Sequence, residues 1–233
     1  MAPFGASRAG LMSVTRDDIP DSGLVHDYDV MEQSTSDTSV LVDQVGNLDL
    51  TGNASGVSSG INGNPSFEYD GLDDDHDTDN NGWVIGSGNE YTVAIVFEPL
   101  SFNEDQTFFS NSTRDPNDDR LYNYREGSSQ DHLWVHAGEK AIGSGSLSAE
   151  PTITIGSYDG STLQVDVNNS NIIDESADIE GESGDERNAS IGNEFGRDRY
   201  ANMYFGRLLH YNEYYDSSSR SEIYSGLASQ WGF

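Results

Sequence analysis

The sequence predicts an all-β protein, an antiparallel sandwich of two sheets finished by one short C-terminal helix, and three stretches carry that prediction. In IGSYDGSTLQVDVN, from Ile155 to Asn168, Asp159-Gly160 separates two runs with apolar residues at every second position, the pattern of a hairpin. Tyr91 to Phe97 contains the near-continuous apolar run Val93, Ala94, Ile95, Val96 and Phe97, which suits a strand covered on both faces. Near the end, Ile223, Leu227 and Trp231 recur four apart and line one stripe of a helix.

Taken in order, residues 1–22 are rich in small residues, carry Arg8 and Arg16, and are expected to form an N-terminal arm. Its Phe4, Leu11 and Met12 are available to dock into a neighbouring subunit. Residues 23–233 are expected to form one domain, since an all-β chain of this length builds a single core. Leu24 to Val30 is the first strand, with Val25 and Tyr28 as its core contacts, and a short strand lies near Val40 to Val42. Phe67 and Tyr69 alternate toward the core. Strands over Gln106 to Ser110, Asp119 to Arg125 and Asp131 to Ala137 are separated by Asn/Asp/Gly turns. In the hairpin, Leu163, Val165 and Val167 face one way and Gln164, Asp166 and Asn168 the other, onto a wet face. Asn168 to Ile191 is expected to be a polar excursion, either a solvated loop or an edge insertion. Met203, Phe205, Leu208, Leu209 and Tyr211 make another strand, in which Gly206 marks a bulge or a close backbone approach. Ser219 and Glu222 have the spacing of a capping box, and Gly226 costs its helix about 1 kcal/mol relative to Ala, so packing must hold it.

The stretches YDGSTLQVDVN (158–168), FGRLLHYNEYYDSSSRSEIYSGLASQWG (205–232), GLVHDYDV (23–30), VDQVGNLDLTG (42–52) and PSFEYDG (65–71) together resemble the concanavalin A-like lectin/glucanase superfamily, in particular its laminin-G-like jelly-roll modules. The resemblance covers residues 23–233 and implies a concanavalin A-like, two-sheet jelly roll. Such folds host unrelated functions, so the function has to come from sites. The opening of the chain is similar to that of structural proteins of tailed viruses.

Acidic residues number 41, 26 Asp and 15 Glu, against 11 basic ones with Lys140 the only lysine, for a formal charge of -30. The acids are spread along the chain, which points to a halophilic setting: in molar salt the screening length falls to about 3 Å and self-repulsion fades. Nucleic acid is disfavoured as a partner. The absence of cysteine excludes disulfide and thiol chemistry. No segment approaches the ~20 apolar residues of a membrane span, and the N-terminus has no apolar core of a signal peptide.

Three constellations can carry chemistry. In DDDHDTDNNG, Asp75, Asp77 and Asp79 alternate in the manner that places carboxylates around calcium, although Asn80 and Gly86 stand where an EF-hand loop has Gly and Glu. Tyr122, Tyr124, Arg125, Trp134 and His136 offer the flat rings and fixed donors that a glycan site uses, against the alternative that Trp134 is core. The dispersed histidines lack the spacing of a zinc site. The resemblance brings in hydrolysis as well, but the paired carboxylates of a retaining glucanase strand, E-x-D-x-x-E, are missing. Four N-x-[ST] sequons begin at Asn53, Asn111, Asn168 and Asn188.

The expectation is a non-enzymatic virion structural protein of a halophilic archaeal virus, a capsid decoration, turret or tail component assembled in the host cytoplasm as a homo-oligomer. Its arm would join other virion proteins, its loops would contact host-surface glycans, and calcium is its candidate ion. The alternative is a lectin-like, carbohydrate-binding module of a haloarchaeal surface protein, and a glucanase-like hydrolase stands third.

Overall fold

The computed structural model describes residues 18–78, 83–84, 90–101, 106–112, 121–125, 132–136, 139–143, 148–176, 186–193 and 198–233; at 84, 112, 121–125, 132–136, 139–143 and 186–187 it describes the backbone. The strands are β1 (Leu24–Asp29), β2 (Val40–Leu41), β3 (Leu50–Asn53), β4 (Ser55–Val57), β5 (Ser66–Asp70), β6 (Asp75–Asp77), β7 (Trp83–Val84), β8 (Tyr91–Pro99), β9 (Gln106–Ser112), β10 (Leu121–Arg125), β11 (His132–His136), β12 (Glu139–Gly143), β13 (Thr152–Tyr158), β14 (Thr162–Val167), β15 (Ser170–Ser176), β16 (Glu186–Ile191) and β17 (Asn202–Tyr211), followed by the helix α1 (Ser217–Trp231). One sheet runs β15-β14-β13-β8-β17-β5-β4 with β1 also on β17; the other runs β12-β11-β10-β9-β16-β6-β3-β2 with β7 also on β16. The protein is therefore the expected all-β sandwich with a short C-terminal helix.

β8 lies between β13 and β17, and its side chains are divided between two cores. Tyr91, Val93, Ile95 and Phe97 enter the core between the sheets, while Ala94 and Val96 enter a second core under α1 with Ile153, Ile155, Leu209, Ile223, Leu227 and Trp231. The uninterrupted apolar run is thus a strand covered twice, the second time by the helix. The hairpin also forms as expected: Tyr158 pairs with Leu163, Gly160 has φ +90, and the Asp159 carboxylate accepts from the Ser161 and Thr162 amides at 2.9 and 2.7 Å.

Three expectations are corrected. The polar side of the hairpin is wet only toward Asn168, because α1 covers it at Asp166: Arg220 Nε donates to Asp166 Oδ2 at 2.6 Å and its Nη1 to Gln164 Oε1 at 2.7 Å. The stretch after Val167 is not a loop throughout. Asn168 and Asn169 have φ +46 and +64, the two left-handed positions of a tight hairpin turn into β15, and β16 is an interior strand between β9 and β6. Finally, the helix starts a turn earlier than the Ser219–Glu222 spacing implies, with Asp216 as the cap accepting from Ser219 N at 2.9 Å.

Both glycines flagged in the sequence sit at close approaches. A Cβ on Gly206 would lie 2.7 Å from the Trp231 ring, and the β17–β8 register shifts between Phe205 and Arg207. A Cβ on Gly226 would meet Ile19 Cγ1 at 2.5 Å and the Asp18 carbonyl oxygen at 2.9 Å. Residues 18–22, assigned to the arm by sequence, are packed on the domain: Ile19 is buried against the helix, and Tyr211 and Tyr215 donate to the Pro20 and Ser22 carbonyls at 3.0 and 2.6 Å.

That contact predicts a reversal of sign. In the full chain Gly226→Ala should destabilise by roughly 1–3 kcal/mol through overpacking. In a chain starting at Ser22 the same change should stabilise by up to about 1 kcal/mol, because only helix propensity remains. Urea unfolding of the four proteins measures both.

Candidate functional site

The outer face of the nine-stranded sheet carries a polar row that follows from the register. On β16, Ala189 and Ile191 enter the core, so Ser190 between them is directed to the other face. Ser190 stands opposite Asp77 on β6 and Ser110 on β9; Asp77 stands opposite Thr51 on β3, and Ser110 opposite Tyr122 on β10. Residues opposite one another share a face. The register therefore aligns Thr51, Asp77, Ser190, Ser110 and the Tyr122 position across five strands. Ser110 Oγ donates to the Asn193 carbonyl at 3.2 Å, whereas Ser190 Oγ is buried with no hydrogen-bond partner.

The aromatic set singled out in the sequence lies on neighbouring strands. Tyr122, Tyr124 and Arg125 are on β10, and Trp134 and His136 are on β11. Tyr124 pairs with Leu133, Trp134 with Ala141 and His136 with Glu139. Their side chains lie outside the described residues, as does Asp79 of the acidic motif. Asp75 and Asp77 sit on β6, where their alternation is that of a strand around the inward-facing His76.

Carboxylates converge one turn earlier. Oxygens of Asp70, Asp73 and Asp74 lie within 4.8 Å of one another at the β5–β6 connection. Asp74 is held from both sides, accepting from Asn53 Nδ2 at 2.8 Å and from the Asp70 amide at 3.1 Å, and Asn193 Nδ2 donates to the adjoining Asp75 at 3.2 Å. Burial, followed by the neighbouring carboxylates, raises the Asp74 carboxyl above its ordinary range, and burial and Asp73 do the same to Asp75. Crowded, oxygen-only ligands of this kind are what calcium takes.

A cluster invisible in the sequence forms where β1 pairs with β17, which sets His26 opposite His210. The imidazole planes stack at 5.5 Å, Trp83 stacks on His210 at 4.7 Å, and Asp43 Oδ2 lies 2.7 Å from His26 Nδ1. The histidines are far apart along the chain, and no spacing motif links them; only strand register brings them together.

No protein-family model matches the sequence, and no curated protein matches it. Among solved structures, the chain superposes on domain 4 of AbnA, a GH43 extracellular arabinanase from Geobacillus stearothermophilus in complex with arabinotriose, with TM-score 0.68 and 16% identity over 88% of this chain and 99% of that domain. It superposes on Trypanosoma rangeli sialidase with TM-score 0.67 and 14% identity, covering 90% of this chain and 33% of the sialidase. For the receptor-binding domain of botulinum neurotoxin D the values are 0.64 and 10%, over 88% of this chain and 53% of that one. What they share is the fold. The chain thus spans a third of the sialidase and about half of the toxin domain, but nearly all of the arabinanase domain.

His76 supplies a pH prediction. Its Nε2 donates to the Thr38 carbonyl at 2.8 Å, so its Nδ1 is left to accept from the Tyr69 hydroxyl at 2.9 Å, and the ring is neutral. Burial pulls its pKa down to about 4. Because the folded pKa lies below the unfolded one, the unfolded chain takes up the proton first. The contribution of His76 to stability is therefore present above about pH 6.5 and is lost as pH falls toward 4, by roughly 3 kcal/mol. Imidazole NMR should show His76 still neutral at pH 5.5; a ring titrating near its ordinary value would contradict this.

Proposed function

We propose that the chain is a non-catalytic carbohydrate-recognition module that lays an extended saccharide across the outer face of the nine-stranded sheet. The observation that carries this reading is the end-to-end correspondence with domain 4 of the arabinanase, a structure that contains arabinotriose. The margin of the polar row fits such a ligand: the partly exposed Asp77 and the exposed Thr51 can meet sugar hydroxyls, and the register continues through the buried Ser190 and Ser110 to the Tyr122 position on β10. The neighbouring β11 positions Trp134 and His136 extend the same sheet.

The reading as a virion component rests on residues 1–17, which lie outside the described residues, and on the spread of acidic charge. No comparison adds to it, and the sandwich is compatible with either use.

Calorimetric titration at molar salt with a panel of arabinan, sialylated and cell-envelope oligosaccharides tests the proposal. Saturable binding to at least one is expected, weakened about tenfold or more by Asp77→Asn and by Tyr122→Ala, with melting temperatures preserved. Absence of saturable binding across the panel would overturn it. Repeating the titration with chelator bears on calcium: a chelator-sensitive affinity that Asp73→Asn abolishes assigns the ion to the Asp70–Asp73–Asp74 corner. Light scattering of the full chain and of one starting at Ser22 tests whether the N-terminal residues set an oligomeric state.

A further inference from the structure

We propose that the His26–His210–Trp83 stack is an acid-opened latch that holds β7 in the sandwich at neutral pH and releases it when His210 takes up a proton. The inference is independent of the saccharide reading.

The latch rests on hydrogen-bond bookkeeping. Trp83 Nε1–H can only donate, and it points at His210 Nε2 at 3.4 Å. Nε2 must therefore carry the lone pair and Nδ1 the proton. His210 Nδ1 is buried and has no partner, so the ring already forgoes one hydrogen bond. A second proton on Nε2 would set one donor against another and abolish the contact that fixes the indole.

Among the described residues, no carboxylate is hydrogen-bonded to the His210 ring. β1 contributes His26 and Tyr28, β7 contributes Trp83, β9 contributes Phe109, and Val93 is the register neighbour on β8. Asp27, between the two β1 aromatics, is bound to Arg207. The anion that acts on His210 is Asp43, which already accepts from His26 and from the amides of Asp27, Val45, Gly46 and Leu48; Asp49 is taken by the Asp43 amide. Burial first, and then His26, hold the His210 imidazole well below its ordinary range, with Asp43 acting the other way. A protonated His210 can be hydrated only if Trp83 leaves the stack. Among the described residues, β7 is a two-residue strand paired with Glu186 and Arg187 of β16, so that departure breaks one short ladder besides the aromatic stack.

Trp231, equally buried at the end of α1 in the second core, is an internal control. Indole N–H exchange of the full chain is measured by NMR from pH 7 to 5 at fixed salt, with Trp83→Phe assigning the resonance. The exchange rate of Trp83 divided by that of Trp231 should rise tenfold or more while far-UV circular dichroism stays constant, and His210→Phe should flatten the ratio. A ratio independent of pH in the wild-type chain overturns the latch, and so does a rise that persists in His210→Phe. If that variant does not fold, the wild-type ratio alone decides.

Discussion

The structure depends on one constraint: the sheet containing β8 and β17 is covered on both faces, by the second sheet on one side and by α1 with residues 18–22 on the other. A charged group on those strands must then find a partner within the protein. Arg207 on β17 makes two parallel hydrogen bonds to Asp27 at 2.9 and 2.8 Å, lies 3.2 Å from Asp29, and is joined by Gln230 from the helix. Burial raises the Asp29 carboxyl while Arg207 opposes it, so a single guanidinium serves two buried carboxylates. Arg220 does the equivalent from the helix side with Asp166. Buried pairs of this kind recover their desolvation cost only with good geometry, and their clearest effect is on register: α1 fits β1, β14 and β17 in one position.

The parts of this arrangement that could be read from sequence are those where periodicity and burial agree. The run at Val93 to Phe97, the Asp159-Gly160 turn and the Ile223–Leu227–Trp231 stripe each state their own environment. β16 does not, because ERNASI puts Asn188 and Ser190 at positions that bury polar groups, and such a segment looks solvated until its neighbours are known. Gly226 was legible as a helix defect but not as the seat of Ile19. The candidate site was legible in its residue types on β10 and β11 and at Asp75 and Asp77. Its row was not, since Asp77, Ser190 and Ser110 are joined only by cross-strand pairing, and the same is true of His26 and His210.

Burial also decides among the sequence motifs. The sequons at Asn111 and Asn188 sit on interior strands with both side chains buried, where a folded chain has no room for a glycan. The Asn168 side chain is occupied in the turn, its Oδ1 accepting from the Ile153 amide at 2.9 Å. Asn53 and Asn168 are the exposed ones of the four, and the Asn53 amide nitrogen is engaged by Asp74. Three of these asparagines are used by the fold: Asn53 donates to Asp74, Asn168 accepts in its turn, and Asn188 accepts from the Thr78 hydroxyl.

The same constraint narrows where a ligand can be received. A two-sheet sandwich has two outer faces, and here one is filled by the stripe of α1, by Ile19 and by the ion pairs of Arg207 and Arg220. A ligand that needs a sheet face is left with that of the nine-stranded sheet. There the central residues Ser190 and Ser110 are themselves buried, while Asp77 and Thr51 beside them reach the surface. Contact with a ligand there falls to the margin of the row, because a hydroxyl already enclosed by the protein has no surface on which to meet a sugar.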